Sequence, residues 1–339
     1  MMNLPSISIL IPVYNVEKYI ADCTKSVMAQ TYTGKMECII VDDCSTDNSI
    51  TIAEQLIGDY NGSIEFRIVH HEHNRGLAAA RNTAVSAAKG DFIIHVDSDD
   101  WIEPTMVEEL VKKQQETNAD IVSCNAIAHY VSGTAVWKEK YYASKRDMIM
   151  SLIQISFDHV IWRRLIRTSL YKINHIEAVE GINIGEDHYT MPRLLYYAKS
   201  FAKCDKILYH YNCMNSNSYM QSANNSFNYN QYKSNVASLG ILIKFFDEVN
   251  DRIYLEELYK IKAQYVYSNF FATLKVGNKE AYCKLCDDWD SVNLSYRKCV
   301  RGKIYGMALL SASNYYINRL RVYIRIFIKK IIGIRNYEL

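Results

Sequence analysis

A chain of 339 residues, 49% of them apolar and 22% charged, is long enough for one large domain or two modest ones and too apolar to stay disordered. Its nine cysteines form no even framework and no two CxxC pairs of zinc spacing, which argues against a disulfide scaffold or zinc ribbon and suits a reduced, cytoplasmic setting. The net charge of +2 is unevenly spread, because residues 291–339 carry ten Lys or Arg against one acid, Glu338, and the rest of the chain is therefore net acidic.

The opening residues MMNLPSISILIPVYN lack the basic start and long apolar run of a signal peptide and read as a strand. Short runs rich in Ile and Val at 6–13, 37–42, 64–69 and 91–97 predict strands buried on both faces. Helical spacing occupies the intervals 17–30, 46–58 and 76–89, with Ser45 or Thr46 as the expected N-cap of the second helix. Strand alternating with helix predicts an α/β fold with a mostly parallel sheet flanked by helices. Pro104 opens a helix to 116, and a strand follows at 120–124. From 144 to 200 the pattern predicts helices and loops, and from 230 to 290 mainly helices, including 234–249 and 254–273. The Asn- and Ser-rich stretch 212–231 reads as a loop or linker. The expected domains are 1–220, with a nucleotide-binding half 1–104 and an acceptor-side half 105–220, and a helical C-terminal region 221–339. Cys283 and Cys286 form a lone CxxC at helical spacing, read as core packing.

Ligands of parallel α/β sheets bind outside the carboxyl ends of the strands. The residues there are Pro12, Tyr14 and Asn15; Asp42 and Asp43; His71 to Arg75; and Asp97, Ser98, Asp99 and Asp100. Acidic groups gathered at one sheet edge repel one another unless something positive binds, and a divalent cation with a phosphate-bearing ligand meets that need. In DSDD at 97–100 two carboxylates can divide the holding of a sugar nucleotide and its metal, and their hard oxygens select Mg²⁺ or Mn²⁺. A solvated acidic turn is the alternative. His70, His71 and His73 lack the spacing of a zinc helix and read as loop residues near the nucleotide.

Taken together, ISILIPVYNVEKYIADCTKSVMAQTY, ECIIVDDCSTDNS, NRGLAAARNTAVSAAKGDFIIHVDSDDWIEP and, less strictly, GEDHYTMPRL resemble the family-two glycosyltransferases of the GT-A fold. The resemblance covers residues 6–104 strongly and 105–220 loosely. It implies an inverting transferase that moves a sugar from a UDP-sugar to a hydroxyl of a growing bacterial surface glycan, such as a capsule, O-antigen or exopolysaccharide. By that resemblance Pro12, Tyr14, Asn15 and Asp42 hold the base and ribose, Asp97 and Ser98 meet the ribose or metal-bound water, and Asp99 binds Mn²⁺ or Mg²⁺. Arg81 faces the nucleotide or phosphates, or pairs with a neighbouring carboxylate. Inversion needs one base for the acceptor hydroxyl. Asp187 is the expected base with Glu186 as neighbour or alternate, although both acids also suit a helix start. Arg163 or Arg164 beside Trp162 offers a further phosphate contact, or faces solvent. His210 stands near where some relatives place another metal or diphosphate contact, or is a packed residue. A non-catalytic nucleotide-sugar-binding or scaffolding subunit is the rival reading, and a sugar nucleotidyltransferase is disfavoured because PVYNVEKY replaces a glycine-rich basic loop after the first strand.

Residues 319–335 place Leu320, Ile324, Phe327, Ile328 and Ile331 opposite Arg321, Arg325 and Lys329, an amphipathic basic helix. The expected partner is a membrane surface, in keeping with a lipid-linked oligosaccharide acceptor and a peripheral seat on the inner face of the cytoplasmic membrane; the alternative is a helix packed on its own domain. No recognition motif points to nucleic acid.

Overall fold

The computed structural model describes residues 4–140, 142–154, 159–215, 228–291, 315–320 and 322–323. The chain divides into two compact units, Met1–Gln221 and Ser222–Leu339.

In the first unit, β1 (Ile7–Val13), α1 (Ile20–Met28), β2 (Met36–Asp42), α2 (Ser49–Gly58), β3 (Glu65–His70), α3 (Leu77–Ala87) and β4 (Phe92–His95) alternate along the chain. The parallel order is β3-β2-β1-β4. Every residue of β1 and β2 is buried, as a central strand covered on both faces requires, whereas edge strand β3 ends in the exposed Glu65 and His70. One charge is buried inside this layer. Glu37 accepts from Ser8 Oγ at 2.6 Å, Lys89 N–H at 2.6 Å and Arg67 Nη2 at 2.8 Å. Burial works to raise its pKa, but these bonds outweigh it and hold the carboxyl below its ordinary range.

The sheet then turns mixed. After β5 (Trp101–Ile102), α4 (Met106–Thr117), β6 (Ile121–Tyr130), β7 (Gly133–Trp137) and α5 (Lys145–Ile153) come β8 (Arg164–Arg167), α6 (Thr168–Ile173), α7 (Glu186–Tyr197) and β9 (Phe201–Asn212). The full order is β3-β2-β1-β4-β8-β6-β9-β5, with β7 paired to β6; β8 is antiparallel to both neighbours, and β9 runs parallel to β6. One core beneath the sheet runs from Ile9 and Ile11 through Val107 and Leu110 to Trp162 and Tyr209.

The structure departs from the sequence expectations in three places. The second helix begins at Ser49, capped at Asn48, and not at Ser45 or Thr46, because Ser45 N–H bonds Asp42 Oδ1 and Thr46 N–H bonds Asn15 Oδ1. Strand β6 extends six residues past the expected 120–124 because β7 folds back on it as a hairpin. Strand β8 occupies a stretch read as helices and loops, and β9 lies almost wholly in residues 201–211, for which no element was expected. In β9 the side chains outside the sheet are polar and charged and no apolar run results.

The second unit contains α8 (Tyr229–Glu248), α9 (Arg252–Val276) and α10 (Lys279–Asp290), with further helical residues at 315–320 and 322–323. Asn228, Asp251 and Asn278 cap the three helices by accepting first-turn N–H groups. Gly277 ends α9 at φ +78, where a β-carbon would meet the Arg319 guanidinium. Tyr232, Phe270, Tyr282 and Trp289 build its core, joined by Cys286 of the CxxC pair. No described helix is long and apolar enough to cross a membrane. Of the basic segment 319–335 only Arg319, Leu320, Val322 and Tyr323 are described; the rest lies outside the described residues, as do 216–227 of the expected linker.

Candidate functional site

A cleft of about 560 Å³ opens at the carboxyl ends of β1, β2 and β4. Its floor is the main-chain turn after β1, where Pro12, Tyr14 and Asn15 line the opening. Asn15 adopts φ +52, a backbone region tolerated by Asn because its short amide bonds locally, here by accepting from Thr46 N–H at 2.8 Å. Tyr14 stands exposed at the rim.

The Asp-Asp pair after β2 divides its work. Asp42 Oδ1 accepts from Ser45 N–H at 2.8 Å, and Oδ2 lies 3.0 Å from Nδ1 of the half-exposed His70. It stands beside the cleft and is not part of its wall. Asp43 does line the wall, but its oxygens accept from Arg75 N–H at 2.8 Å and Gly76 N–H at 2.7 Å while His71 Nδ1 lies 2.7 Å away. His71 is in turn 2.9 Å from Thr83 Oγ1. Asp43 and His71 thus shape the loop that leads into α3. Gly76, at φ +87, has Asn183 so near that a β-carbon would overlap its amide.

Asp97, Ser98 and Asp99 follow β4 and line the cleft together with Arg81 from α3 and Glu186 and Asp187 from the start of α7. Arg81 bridges the groups: Nη2 donates to Asp97 Oδ1 at 2.9 Å and Nε to Glu186 Oε1 at 3.1 Å. Burial disfavours this guanidinium's charge, yet Asp97, Asp187 and Glu186 overcome the penalty and hold its pKa above the ordinary value. Arg81 is thus paired with two carboxylates on the cleft wall.

Asp99 accepts from Asn215 Nδ2 at 2.8 Å, and burial followed by the Asp97 charge pushes its pKa up to about 6. Asp100 turns inward, where Tyr209 Oη donates to Oδ2 at 2.7 Å and Asn212 N–H to Oδ1 at 2.7 Å; Tyr209 Oη also accepts Asp97 N–H at 3.1 Å. Asp100 therefore fixes the turn that presents its two neighbours. Asp97 and Asp99 offer hard oxygens, but among the described residues no group of three or more His, Cys, Asp or Glu side chains is arranged to hold a metal.

The two acids of α7 have different surroundings. Glu186 is engaged by Arg81. Asp187 Oδ2 accepts Ile161 N–H at 3.2 Å, while its buried Oδ1 has no hydrogen-bond partner among the described residues. Burial raises both pKa values, Asp187 adding to that effect on Glu186 and Asp97 adding to it on Asp187. Gly185, at φ +76, caps the helix that carries them.

Three expected contacts are not brought here. His210 lies on the opposite face of β9 from Tyr209 and Tyr211, stacked on Trp101, with Nε2 2.7 Å from Glu103 Oε1 and Nδ1 3.0 Å from His129 Nε2. Strand alternation turns it away from Asp97 and Asp99, so it is placed as a packed residue. Arg163 and Arg164 are buried on the fully enclosed Glu139, at 2.8 and 3.2 Å, and face neither the cleft nor solvent. Sequence reasoning also missed Asn215, Trp137 and Tyr211, which line the cleft. The lone tryptophan of the run 131–140 was the one available signal for the second of these.

Residues 8–173 match the family model described as "Glycosyl transferase family 2". The chain is 33% identical over 217 residues to the putative glycosyltransferase EpsH of Bacillus subtilis, covering 62% of this chain and 61% of that protein. It therefore spans less than two thirds of that relative's length. The crystal structure of Staphylococcus aureus TarS 1-349 in complex with UDP-GlcNAc is similar with a TM-score of 0.69 and 19% identity, covering 98% of this chain and 93% of that one. The mannosyltransferase PcManGT of Pyrobaculum calidifontis, in complex with GDP-Man and Mn²⁺, is similar with a TM-score of 0.54 and 14% identity over 97% of this chain and 88% of that one. At such identities the likeness establishes the fold, and the fold is GT-A.

Proposed function

Residues 8–173 belong to glycosyl transferase family 2, and from that premise we propose that the chain transfers a sugar from a UDP-sugar to a hydroxyl of a bacterial surface glycan, with inversion and with Asp187 as the base. The observation that carries the reading is the unpartnered Oδ1 of Asp187, buried on the wall of the cleft that also presents Asp97 and Asp99. A base must keep one oxygen uncommitted for the incoming proton, and Glu186, held by Arg81, is less suited.

On the donor side, Pro12, Tyr14 and Asn15 with Asp42 at the rim hold the base and ribose, and Ser98 and Arg81 face the ribose and phosphates. The UDP-GlcNAc in the TarS structure and the Mn²⁺ in the PcManGT structure support this choice of ligands. Asp97 and Asp99 fit Mn²⁺ or Mg²⁺, which need only one or two carboxylates when diphosphate oxygens complete the shell, and burial together with the Asp97 charge makes the Asp99 carboxylate costly without a cation. When bound, the cation neutralises charge that develops on the departing diphosphate.

The test is UDP release by the purified chain with Mn²⁺ and a panel of UDP-sugars, with and without glycan acceptors. Release with at least one donor is expected. Binding of UDP without release of UDP from any donor would identify a non-catalytic subunit instead.

For the C-terminal region the reading is a peripheral seat on the inner face of the cytoplasmic membrane, beside a lipid-linked acceptor. Tyr316, Ile317, Leu320 and Tyr323 stand exposed on the last described helical residues, within a segment whose charge is nearly all basic. Removing residues 319–339 is expected to abolish sedimentation with phosphatidylglycerol vesicles; unchanged sedimentation refutes the membrane seat.

A further inference from the structure

One wall of the cleft is aromatic. Trp137, Trp162 and Tyr211 line it as a layered set, with Trp162 and Tyr211 stacked at 5.3 Å and 12° and Trp137 5.2 Å from Tyr211 and 6.3 Å from Trp162. Trp162 is buried deep in the unit, held from behind by Tyr209 at 4.4 Å. Trp137 is the half-buried outer ring, at the end of a hairpin strand whose other residues, Gly133–Val136, are all exposed. A planar, partly open ring at the mouth of a polar cleft is a surface on which the C–H face of a sugar ring can lie.

The charge on the remaining walls is one-sided. Asp43, Asp97, Asp99, Glu186 and Asp187 face Arg81, whose Nε and Nη2 are already held by Glu186 and Asp97. Arg163 and Arg164, the nearest other guanidinium groups in sequence to the wall residue Trp162, are buried on Glu139. A phosphate-rich chain entering this cleft would meet like charge on the acidic side chains. An uncharged ring meets no such penalty.

We propose that the aromatic wall is the acceptor subsite, and that it takes an uncharged pyranose stacked on Trp137 and not a polyol-phosphate chain. This rests on the glycosyl-transfer reading and adds to it the chemical class of the acceptor. TarS, by its name a poly(ribitol-phosphate) beta-N-acetylglucosaminyltransferase, shares the fold, which makes poly(ribitol phosphate) the acceptor to test against.

The experiment compares the unsubstituted chain with Trp137→Ala and Trp137→Phe, using the donor found to release UDP. The acceptors are the methyl glycosides of glucose, galactose, N-acetylglucosamine and rhamnose, and poly(ribitol phosphate). At least one methyl glycoside is expected to stimulate UDP release above the acceptor-free rate, and poly(ribitol phosphate) is not. Trp137→Ala is expected to raise the acceptor KM about tenfold, and Trp137→Phe to restore most of the loss. Trp137→Leu, which keeps bulk without a ring, replaces the alanine variant if that form does not fold. Stimulation by poly(ribitol phosphate) alone, or an acceptor KM unmoved by loss of the ring, overturns the proposal. If no donor releases UDP, the transferase reading fails separately, and saturation-transfer NMR with the methyl glycosides still decides the subsite: a signal in the wild type that the alanine variant lacks supports it, and equal signals refute it.

Discussion

Two of the buried groups of charges in the first unit are resolved in opposite ways. At Glu139, two guanidinium groups close on one carboxylate inside the protein, with all three side chains at 2% exposure or less. Around Arg81, one guanidinium serves Asp97 and Glu186, and Glu186, Asp99 and Asp187 all keep raised pKa values on the wall of a cleft. The first arrangement is complete and has nothing left to offer a ligand. The second is short of positive charge at an opening, which is the condition under which a cation and a diphosphate bind. Charge in a closed core supports structure, and charge left unbalanced at a cleft supports chemistry.

The contrast is broken most severely at its two ends. Asp187→Asn is expected to lower transfer by about 10²–10⁴-fold, the range of a positioned base, with UDP binding by calorimetry little changed; full activity in the variant would return the role to Glu186. Glu139→Ala leaves two buried guanidinium groups without their carboxylate and is expected to cost about 3–5 kcal/mol in denaturant unfolding. Should it cost less than 1 kcal/mol, the enclosed cluster is not structural.

Asp99→Asn sharpens the comparison, because it should have opposite effects on stability and binding. The folded pKa of about 6 lies above the ordinary 3.8, so this group's contribution to stability is fully present below the unfolded value and is lost as pH rises through about 6. At neutral pH the variant is therefore expected to be more stable than the wild type without ligands, by roughly 1–3 kcal/mol. It should also lose Mn²⁺-dependent UDP binding. Thermal unfolding at pH 5 and pH 7.5 checks the sign, since the difference between the two proteins should shrink at the lower pH. The smallest effect is expected from Cys44→Gly. Cys44 adopts φ +63 in the turn after β2, a conformation glycine takes freely, and the variant should gain about 1 kcal/mol. A loss would mean that the Cys44 Sγ contact with Glu72 O outweighs the backbone strain.

The fold was legible where the strands are buried on both sides. The runs SISILIPV and ECIIVD could be little else, and β1 and β2 are buried throughout. It was illegible where strands carry polar or charged side chains among their buried positions. Strand β9 presents Tyr209 and Tyr211 inward and His210 to the other face, and β8 carries Arg164 into the core, so neither shows an apolar period. The same rule governed the site. Asp97, Asp99 and Asp187 are marked by position in the sequence. The inward turn of Asp100, the division of work between Asp42 and Asp43 and the burial of Arg163 and Arg164 depend on partners up to 112 residues away. No local pattern encodes such pairings.

The Ile161 amide that donates to Asp187 Oδ2 has a consequence for the substitution proposed above. An asparagine at 187 keeps the shape of the carboxylate but has only one oxygen. That oxygen must stay with the Ile161 N–H, or two donors face each other in a buried space. The amide nitrogen is then left where the open oxygen was, and an acceptor hydroxyl arriving there meets a hydrogen-bond donor in place of a proton sink. The lone pair needed for attack is drawn toward the side chain. Asparagine at this position therefore reverses the polarity of the site as well as removing its base, and alanine, which leaves room for water, is expected to retain more residual transfer than asparagine does.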